Sequence, residues 1–176
     1  MRKCKLFIAM SLDGYIADDK GKVDWLKGQV NDDENVDSYS EFVKGIDTVL
    51  MGWNTYDQIV NELSKDQWIY EDFMTYVITH KDIDGLNNIR FTDKNPVDLI
   101  KELKTKEGKD IWICGGAALV NQLVENNIID VYYITVIPTI LGSGIRLFEQ
   151  GKQEILLKLV ETQAYNGMVD LVYTKR

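Results

Sequence analysis

The stretch Lys109–Glu125, KDIWICGGAALVNQLVE, decides the fold. Its residues Ile111–Cys114 are rich in β-formers and run without a polar break into Gly115-Gly116, after which apolar residues recur at helical spacing. The pattern predicts a buried strand, a glycine turn and a helix. Such a junction lets the backbone approach a ligand closely, and the N–H groups and dipole of the new helix favour an anion. The stretch therefore predicts half of a phosphate site, although a tight turn without any ligand is as common a use of such glycines.

A second stretch, Asp47–Tyr56 (DTVLMGWNTY), repeats the order of apolar strand, glycine and helix. Two such junctions place two glycine-opened helix starts at the carboxyl edge of one sheet, which is where ligands of open α/β sheets bind. Thr55 would either cap the second helix or donate its hydroxyl to a phosphate.

Length and composition indicate one domain over residues 1–176, because 45% hydrophobic residues supply one large core. The sequence has no run of about 18 apolar residues that would span a membrane. Its start, MRKCKLFIAM, reaches charged and turn residues too soon for a secretory signal. We therefore expect a cytoplasmic protein without a membrane partner.

Charge and cysteine content exclude further classes. The formal net charge is −8, which repels a polyphosphate backbone and disfavours a nucleic-acid partner. Cys4 and Cys114 both fall in apolar strand-like runs, so we expect buried, reduced thiols. With the single His80 they are too few for a disulfide framework or a metal site.

The order of the elements predicts a mixed sheet. Strand-helix units in the first two thirds give way to a long strand at Asp130–Pro138 and to two strands joined by Asn166-Gly167, a strong hairpin signal. The prediction is an α/β fold with a mostly parallel sheet, an antiparallel C-terminal hairpin and helices on both faces. The predicted segments are strands at Lys3–Met10, Asp47–Met51, Phe73–Thr79, Asn88–Thr92, Glu154–Tyr165 and Met168–Lys175, helices at Val36–Lys44 and from Pro96, and a loop at Val23–Asn35.

Polar residues follow two of the predicted strands. Asp13 lies just past the first strand, where it serves either as the side-chain acceptor of a turn or as a site residue. Thr79-His80-Lys81 brings a hydroxyl, an imidazole and an ammonium together at a strand end, a combination that suits a phosphate monoester.

With these residues considered, the chain resembles the dihydrofolate reductase-like superfamily. It is most similar to the branch that includes the reductase domain of the bifunctional riboflavin-biosynthesis deaminase-reductase. The matching motifs occur in family order and span nearly the whole chain. They are SLDGYIA (Ser11–Ala17), VLMGWNTY (Val49–Tyr56), YVIT (Tyr76–Thr79), ICGGAALVNQL (Ile113–Leu123) and DVYYITVIPTILGSGIRLF (Asp130–Phe148).

The resemblance implies a nicotinamide cofactor across the carboxyl edge of the sheet and a cis Gly115-Gly116 peptide. The backbone near Ala9 would meet the nicotinamide carboxamide, the glycine pair and Thr55 the pyrophosphate, and Thr79–Lys81 the adenosine 2′-phosphate. The implied cofactor-binding residues are Ala9, Ile16, Gly52, Trp53, Thr55, Thr79, His80, Lys81, Gly115, Gly116, Ala117, Ala118 and Leu119.

Trp53 departs from the pattern of dihydrofolate reductases, which place Arg after the glycine of the second junction to hold the 2′-phosphate. An indole there could still stack on the adenine. Because Thr79-His80-Lys81 offers charge-assisted bonds that only the 2′-phosphate uses, we expect NADPH to bind in preference to NADH, with NADH still possible.

The leading hypothesis is an NAD(P)H-dependent reductase that transfers a hydride to a small heterocyclic or aromatic substrate of the pterin-like or ribosylaminopyrimidine-like class. The alternative is a non-catalytic nucleotide-binding or interaction protein that retains the fold. The two differ in the need for a proton donor, for which Asp13 is the first candidate, followed by Tyr15 and Tyr39.

Three further departures concern the substrate. The carboxylate that dihydrofolate reductases place on the first helix falls near Ser38, and the riboflavin branch's Lys and Glu are replaced here by Tyr15 and Cys114. We therefore expect neither a physiological dihydrofolate reductase nor the riboflavin-pathway reductase. The expected acceptor is flat, neutral and aromatic, in a cleft lined by Tyr15, Trp25, Tyr39, Phe42 and Cys114, with Trp53 as a further candidate.

We also expect a homodimer. The last strands carry alternating apolar residues with few of the charges that protect a sheet edge, and members of the similar branch tend to pair. These residues are Val131, Tyr133, Val169, Leu171 and Tyr173.

Overall fold

Ten strands and four helices make up the computed structural model, which describes residues 1–30, 36–151 and 154–176. The helices are α1 (Ser38–Val43), α2 (Trp53–Gln58, continued by a π-helical segment at Ile59–Leu63), α3 (Pro96–Thr105) and α4 (Ala117–Glu125). The strands are β1 (Cys4–Ser11), β2 (Tyr15–Ala17), β3 (Ile46–Gly52), β4 (Met74–Ile78), β5 (Ile89–Thr92), β6 (Asp110–Gly115), β7 (Val131–Ile137), β8 (Ile145–Arg146), β9 (Leu157–Tyr165) and β10 (Met168–Lys175).

Eight of the strands form one sheet in the order β5-β4-β3-β6-β1-β7-β10-β9. All neighbours from β5 to β7 are parallel, whereas β10 is antiparallel to both β7 and β9. The predicted mixed sheet with an antiparallel C-terminal hairpin is therefore confirmed. Among the residues described, none of the helices has the length and apolar character needed to cross a membrane.

Two hydrophobic layers cover the two faces of the sheet, as the near-continuous apolar runs of β1, β3 and β6 require. One layer joins Leu6 and Ile113 to the buried faces of α3 and α4. The other joins Val49 and Trp112 to Phe42 of α1. Because side chains alternate along a strand, Ile113 and Trp112 serve opposite layers, and the helices lie on both faces as expected.

The N-terminal ends of two helices have capping residues that can be recognised in the sequence. The Asn95 side chain accepts from the Val97 N–H over 2.9 Å, and Pro96 occupies the first turn of α3, where its missing N–H costs nothing. Asp37 caps α1 by accepting from the Ser40 N–H over 3.0 Å. This cap makes α1 shorter than the predicted Val36–Lys44.

Of two further expectations, one is corrected by the structure and the other lies partly outside the described residues. The strand expected from Glu154 begins at Leu157, and the expected loop Val23–Asn35 includes residues 31–35, which lie outside the described residues. The antiparallel pair β2–β8 was not predicted, because two or three residues carry no period of their own and pair only after the fold has brought them together.

Candidate active site

A cleft of about 1030 Å³ lies at the carboxyl ends of the parallel strands. Gly52 ends β3, Gly115 ends β6, and Ala9 lies in the last third of β1; all three line the cleft. Its volume is at the upper end of the range for small-molecule and cofactor sites, about 300–1000 Å³. The cleft has two differently built parts, described in turn.

The first part is formed by the starts of α2 and α4, which meet at the glycine pair. The Gly115-Gly116 peptide is cis, which confirms the expectation, and Gly115 has φ of 138°. A Cβ on Gly116 would lie 3.3 Å from Thr55 Oγ1, and a Cβ on Gly52 would lie 3.8 Å from the Gly116 nitrogen. Both helix starts therefore open on one gap bordered by glycine and by the Thr55 hydroxyl, and their first N–H groups have no partner within their own helix. This arrangement fits a pyrophosphate.

Thr55 does not cap α2. Gly52 is the N-cap residue, and no side chain makes a capping hydrogen bond there. Of the two roles considered for Thr55, capping is therefore wrong. The hydroxyl oxygen of Thr55 lies beside the glycine pair.

Most of the predicted cofactor-binding residues line this cleft. They are Ala9, Ile16, Gly52, Trp53, Thr55, Gly115, Gly116, Ala117, Ala118 and Leu119. Thr79, His80 and Lys81 are not among the lining residues. Thr79 is buried and its hydroxyl oxygen accepts from the Lys81 N–H over 3.1 Å, whereas His80 is exposed.

Lys81 contacts the cleft indirectly, through the lining residue Trp53. Its Nζ lies 3.7 Å from the centroid of the indole ring, within the range of a cation–π contact. Trp53 in turn packs on Tyr56 with ring centroids 5.5 Å apart. A cation is therefore held over the position where the sequence has Trp53 instead of Arg.

The second part of the cleft is an aromatic box, which we define as Phe7, Tyr39, Tyr70 and Trp112. Trp112 is its centre, with ring centroids 6.2 Å from Phe7, 5.8 Å from Tyr39 and 5.1 Å from Tyr70, all near edge-to-face. Only Tyr39 of these four was predicted as a substrate residue. Phe7 and Trp112 were missed because they lie inside strands whose pattern is that of the core, and Tyr70 because it lies in a segment predicted as a polar loop.

The ionisable groups of the box are held neutral. Burial raises the pKa of the Cys114 thiol to about 11 and raises the pKa of Tyr70 strongly. The Tyr70 hydroxyl and Cys114 Sγ are 3.7 Å apart, the distance of a weak hydrogen bond to sulfur. Burial also raises the pKa of Tyr39. Among the lining residues that the structure describes, none is Lys, Arg or His.

Asp13 has a structural role in place of the catalytic role expected from the sequence. Its carboxylate accepts from the Ser11 hydroxyl over 2.6 Å and from the N–H groups of Leu141 and Gly142 over 3.1 and 2.7 Å. These bonds, that of Ser11 first, lower the pKa of Asp13 to about 2. Asp13 is not among the lining residues and is ionised at neutral pH, so it is a poor proton donor.

Three of the predicted substrate residues, Tyr15, Trp25 and Phe42, are also not among the residues that line the cleft. The Tyr15 hydroxyl donates to the Gly142 carbonyl oxygen over 3.3 Å and accepts from Arg146 Nη2 over 3.1 Å. Trp25 donates its indole N–H to a backbone carbonyl oxygen of its own loop, and Phe42 packs against the back of Phe7 with ring centroids 4.5 Å apart. Tyr39, Cys114 and Trp53 remain as lining residues.

Comparison with known proteins relates this chain to a family. The model of the RibD C-terminal domain matches residues 2–171. The chain is 37% identical over 175 residues to the uncharacterized protein YwjB of Bacillus subtilis (strain 168), covering 99% of this chain and 98% of that protein.

Solved structures show the same fold. A putative riboflavin biosynthesis protein from Shewanella sp. PV-4 is 26% identical, with a TM-score of 0.87 and 99% of both chains covered. A second structure has a TM-score of 0.73 at 14% identity, with 99% of this chain and 57% of that chain covered. It is the diaminohydroxyphosphoribosylaminopyrimidine deaminase/5-amino-6-(5-phosphoribosylamino)uracil reductase of Thermotoga maritima. Dihydrofolate reductase from Enterococcus faecalis, complexed with NADP(H), has a TM-score of 0.67 at 18% identity, with 99% of this chain and 96% of that chain covered. The last two likenesses concern the fold alone.

Replacing Asp13 by Asn tests its structural part. The pKa of Asp13 falls on folding from the ordinary 3.8 to about 2, so its ionised form stabilises the protein above pH 3.8, and this contribution disappears as the pH falls towards 2. We expect D13N to unfold more easily than wild type at pH 7, with a difference that shrinks between pH 4 and 2. Urea denaturation across this pH range measures it. D66N, at an exposed loop carboxylate, is the control, and a D13N deficit that grows on acidification would contradict the assignment.

Proposed function

The chain belongs to the RibD C-terminal domain family, and from this we propose that it is an NAD(P)H-dependent reductase of a small, flat heterocyclic or aromatic substrate. The observation that supports it is the two-part cleft, in which a glycine-bordered gap between two helix starts and the aromatic box belong to one cavity. A dinucleotide needs the first part, and a planar acceptor needs the second.

The cofactor would be held mainly by backbone groups. The starts of α2 and α4 would take its pyrophosphate at Thr55 and Gly116, and Ala9 and Ile16 would border its nicotinamide end. The bound cofactor would supply the hydride, and the box would exclude water from the acceptor. Lys81, held over Trp53, is the proposed partner of the 2′-phosphate that distinguishes NADPH from NADH.

The substrate is proposed to be uncharged where it enters the box. The walls of the aromatic box are apolar rings, and the Tyr70 hydroxyl and the Cys114 thiol beside them are neutral. A phosphate or a carboxylate placed there would lose water without gaining a cationic partner. This disfavours both dihydrofolate and the phosphorylated riboflavin-pathway intermediate as the physiological substrate.

Steady-state oxidation of NADPH with dihydrofolate, the riboflavin-pathway intermediate and a panel of neutral pterins, quinones and nitroaromatics tests the proposal. We expect turnover with a member of the neutral panel. A kcat/KM above about 10⁴ M⁻¹s⁻¹, the low end for enzymes on their own substrates, on either of the first two would contradict it. Failure on every acceptor, with NADPH still bound, would favour the non-catalytic alternative.

A pair of glycine variants controls this assay. Gly116→Val puts a side chain against Thr55 Oγ1 in the proposed pyrophosphate gap and is expected to abolish NADPH binding. Gly151→Val adds the same side chain where a Cβ meets nothing within 4 Å, and is expected to leave NADPH binding intact.

The Lys81→Ala variant tests cofactor preference. We expect wild type to bind NADPH more tightly than NADH, and K81A to weaken NADPH about three- to tenfold, the effect of an exposed charge of about 1 kcal/mol, while NADH is unaffected. Fluorescence titration of the four Trp measures both dissociation constants. Lys101→Ala, an exposed lysine on α3, is the matched control. Equal wild-type affinities for the two cofactors would refute this preference.

A homodimer is also proposed, on a different surface from the one expected. Of the residues expected there, Val131 is buried within the chain and the other four, Tyr133, Val169, Leu171 and Tyr173, are half-buried, and β10 is paired on both sides. The exposed apolar residues are instead on the edge strand β9, where Leu159 is 47% and Val160 58% exposed. An edge strand with apolar residues open to solvent favours association.

Light scattering at micromolar concentration tests this surface. We expect a dimeric mass for wild type and a monomeric mass for Val160→Glu, because a buried carboxylate at the contact would have no partner. Ile140→Glu, at an exposed apolar residue of the loop after β7, is expected to remain dimeric. A monomeric wild type would end the proposal.

A further inference from the structure

The proposed reduction needs a proton donor in the cleft. Adding a hydride to the carbon of a C=O or C=N bond leaves a negative charge on the heteroatom, which a positioned acid has to neutralise. Of the three candidates from the sequence, Asp13 holds a loop and does not line the cleft. Tyr15 does not line it either, and its hydroxyl is engaged by Gly142 and Arg146. Tyr39 does line the cleft.

Tyr39 packs on the face of β6 that forms the aromatic box. Trp112 and Cys114 are two residues apart on this strand, so their side chains share that face. The centroid of the Tyr39 ring lies 5.8 Å from that of Trp112 and 6.2 Å from that of Phe7. Cys114 directly precedes the Gly115-Gly116 turn, where the pyrophosphate is proposed to bind. Tyr39 therefore lies against the strand that leads into the proposed cofactor site.

Three ionisable side chains of this region interact with one another. The Tyr70 hydroxyl and Cys114 Sγ are 3.7 Å apart. Burial raises the pKa of Tyr39, and a charge on Cys114 would raise it further. Burial also raises the pKa of Tyr70, with further contributions from Cys114 and Tyr39. All three groups therefore keep their protons at neutral pH, as an acid must before it reacts.

Hydrogen bonding and exposure distinguish Tyr39 from Tyr70. Tyr70 is 8% exposed, and its hydroxyl is engaged by Cys114. Tyr39 is 39% exposed, and its hydroxyl makes no hydrogen bond to any residue that the structure describes. Its proton is therefore available to a molecule in the cleft, and a phenolate formed there can take a proton back from water.

The other polar groups that line the described part of the cleft are less suited to donate. Three carboxyl groups are on exposed residues outside the aromatic box, which are Asp57, Glu62 and Glu149. Glu62 is paired with Lys22 over 2.7 Å, and the hydrogen bond from Lys22 lowers its pKa. The Thr135 hydroxyl donates its proton to Asp170 over 2.6 Å. Within the box, Tyr39 thus combines an unengaged proton with access to water.

We propose that Tyr39 is the catalytic acid of the reduction and donates its hydroxyl proton to the oxygen or nitrogen of the bond that is reduced. This inference rests on the proposed function and deepens it. The bound cofactor supplies the hydride to the carbon of that bond. The Tyr39 O–H bond breaks as the new O–H or N–H bond of the product forms, and the phenolate takes a proton from water at its exposed side. The substrate gains one hydride and one proton, and Tyr39 is restored.

Isatin, a flat and neutral bicyclic ketone, is the probe for the hydrogen bond. Infrared difference spectroscopy with isatin that carries ¹³C at its ketone carbon identifies the ketone band in the complex without cofactor, so this readout does not depend on turnover. We expect the ketone band to lie at lower wavenumber in wild type than in Tyr39→Phe, because the hydroxyl that donates to the ketone oxygen is absent from the variant.

Steady-state NADPH oxidation gives the second readout, with isatin and with the member of the neutral panel that turns over fastest. We expect Tyr39→Phe to lower kcat about 100-fold or more, the usual contribution of a positioned acid. The KM for the acceptor should rise no more than about tenfold, the effect of one lost hydrogen bond. Tyr76→Phe removes the same hydroxyl from a half-buried tyrosine of the opposite layer, and this matched control is expected to behave as wild type in both readouts.

The outcomes distinguish this inference from the proposed function. A ketone band at the same position in wild type and Y39F, a wild type that does not bind isatin, or a Y39F variant with the wild-type kcat would overturn Tyr39 as the acid. Turnover of any acceptor with NADPH would then leave the proposed function in place. Loss of both signals in Tyr70→Phe, with Y39F unaffected, would assign the proton to Tyr70 and also overturn the inference.

The reverse failure has its own signature. A wild type that neither binds nor oxidises NADPH would overturn the proposed function and, with it, the role of Tyr39 as an acid. A ketone band that still depends on Tyr39 would then identify this residue as a binding contact alone.

Discussion

The site depends on the close approach of two helix starts at Gly115-Gly116. β3 and β6 are adjacent parallel strands, so their chains leave the sheet within about 5 Å of each other and the helices that follow begin side by side. A Cβ on Gly116 would already lie 3.3 Å from Thr55 Oγ1, so the gap exists only because the junction has no side chain. In a protein of net charge −8, an anionic cofactor is repelled at long range. Backbone N–H groups in this gap and the ammonium of Lys81 would have to offset that repulsion.

The aromatic box shows how one face of the sheet serves as both core and site wall. Trp112 makes edge-to-face contacts with the other three rings of the box and with Phe42 behind them, and such pairs contribute about 0.5–1.5 kcal/mol each beyond the area that they bury. Packed rings leave few rotamers, so the walls are rigid before any substrate arrives. The same packing desolvates Tyr70 and Cys114 and raises the pKa of each, which leaves this end of the cleft uncharged.

Elements distant in sequence complete the cleft. The small β2–β8 sheet brings Ile16 and Ile145 to its border, and Asp13 holds the loop between β7 and β8 against the end of β1. On the other side, the position of β10 next to β7 brings Asp170 behind Thr135. The C-terminal hairpin thus brings a carboxylate into contact with a hydroxyl that lines the cleft.

The sequence by itself determined the main sheet, its antiparallel C-terminal hairpin, the two glycine junctions and the cis Gly115-Gly116 peptide that its family resemblance implied. Strand period, glycine turns and helix caps are local, so each can be read from neighbouring residues. The tertiary structure decided which aromatic residues face the cleft, since Phe7 and Trp112 look like any core residues in their strands, and Phe42 lies behind them. It also decided the hydrogen-bond partners of Asp13 and Asp170. Whether a carboxylate holds a loop or orients a hydroxyl depends on partners 128 and 35 residues away, which only strand order brings together.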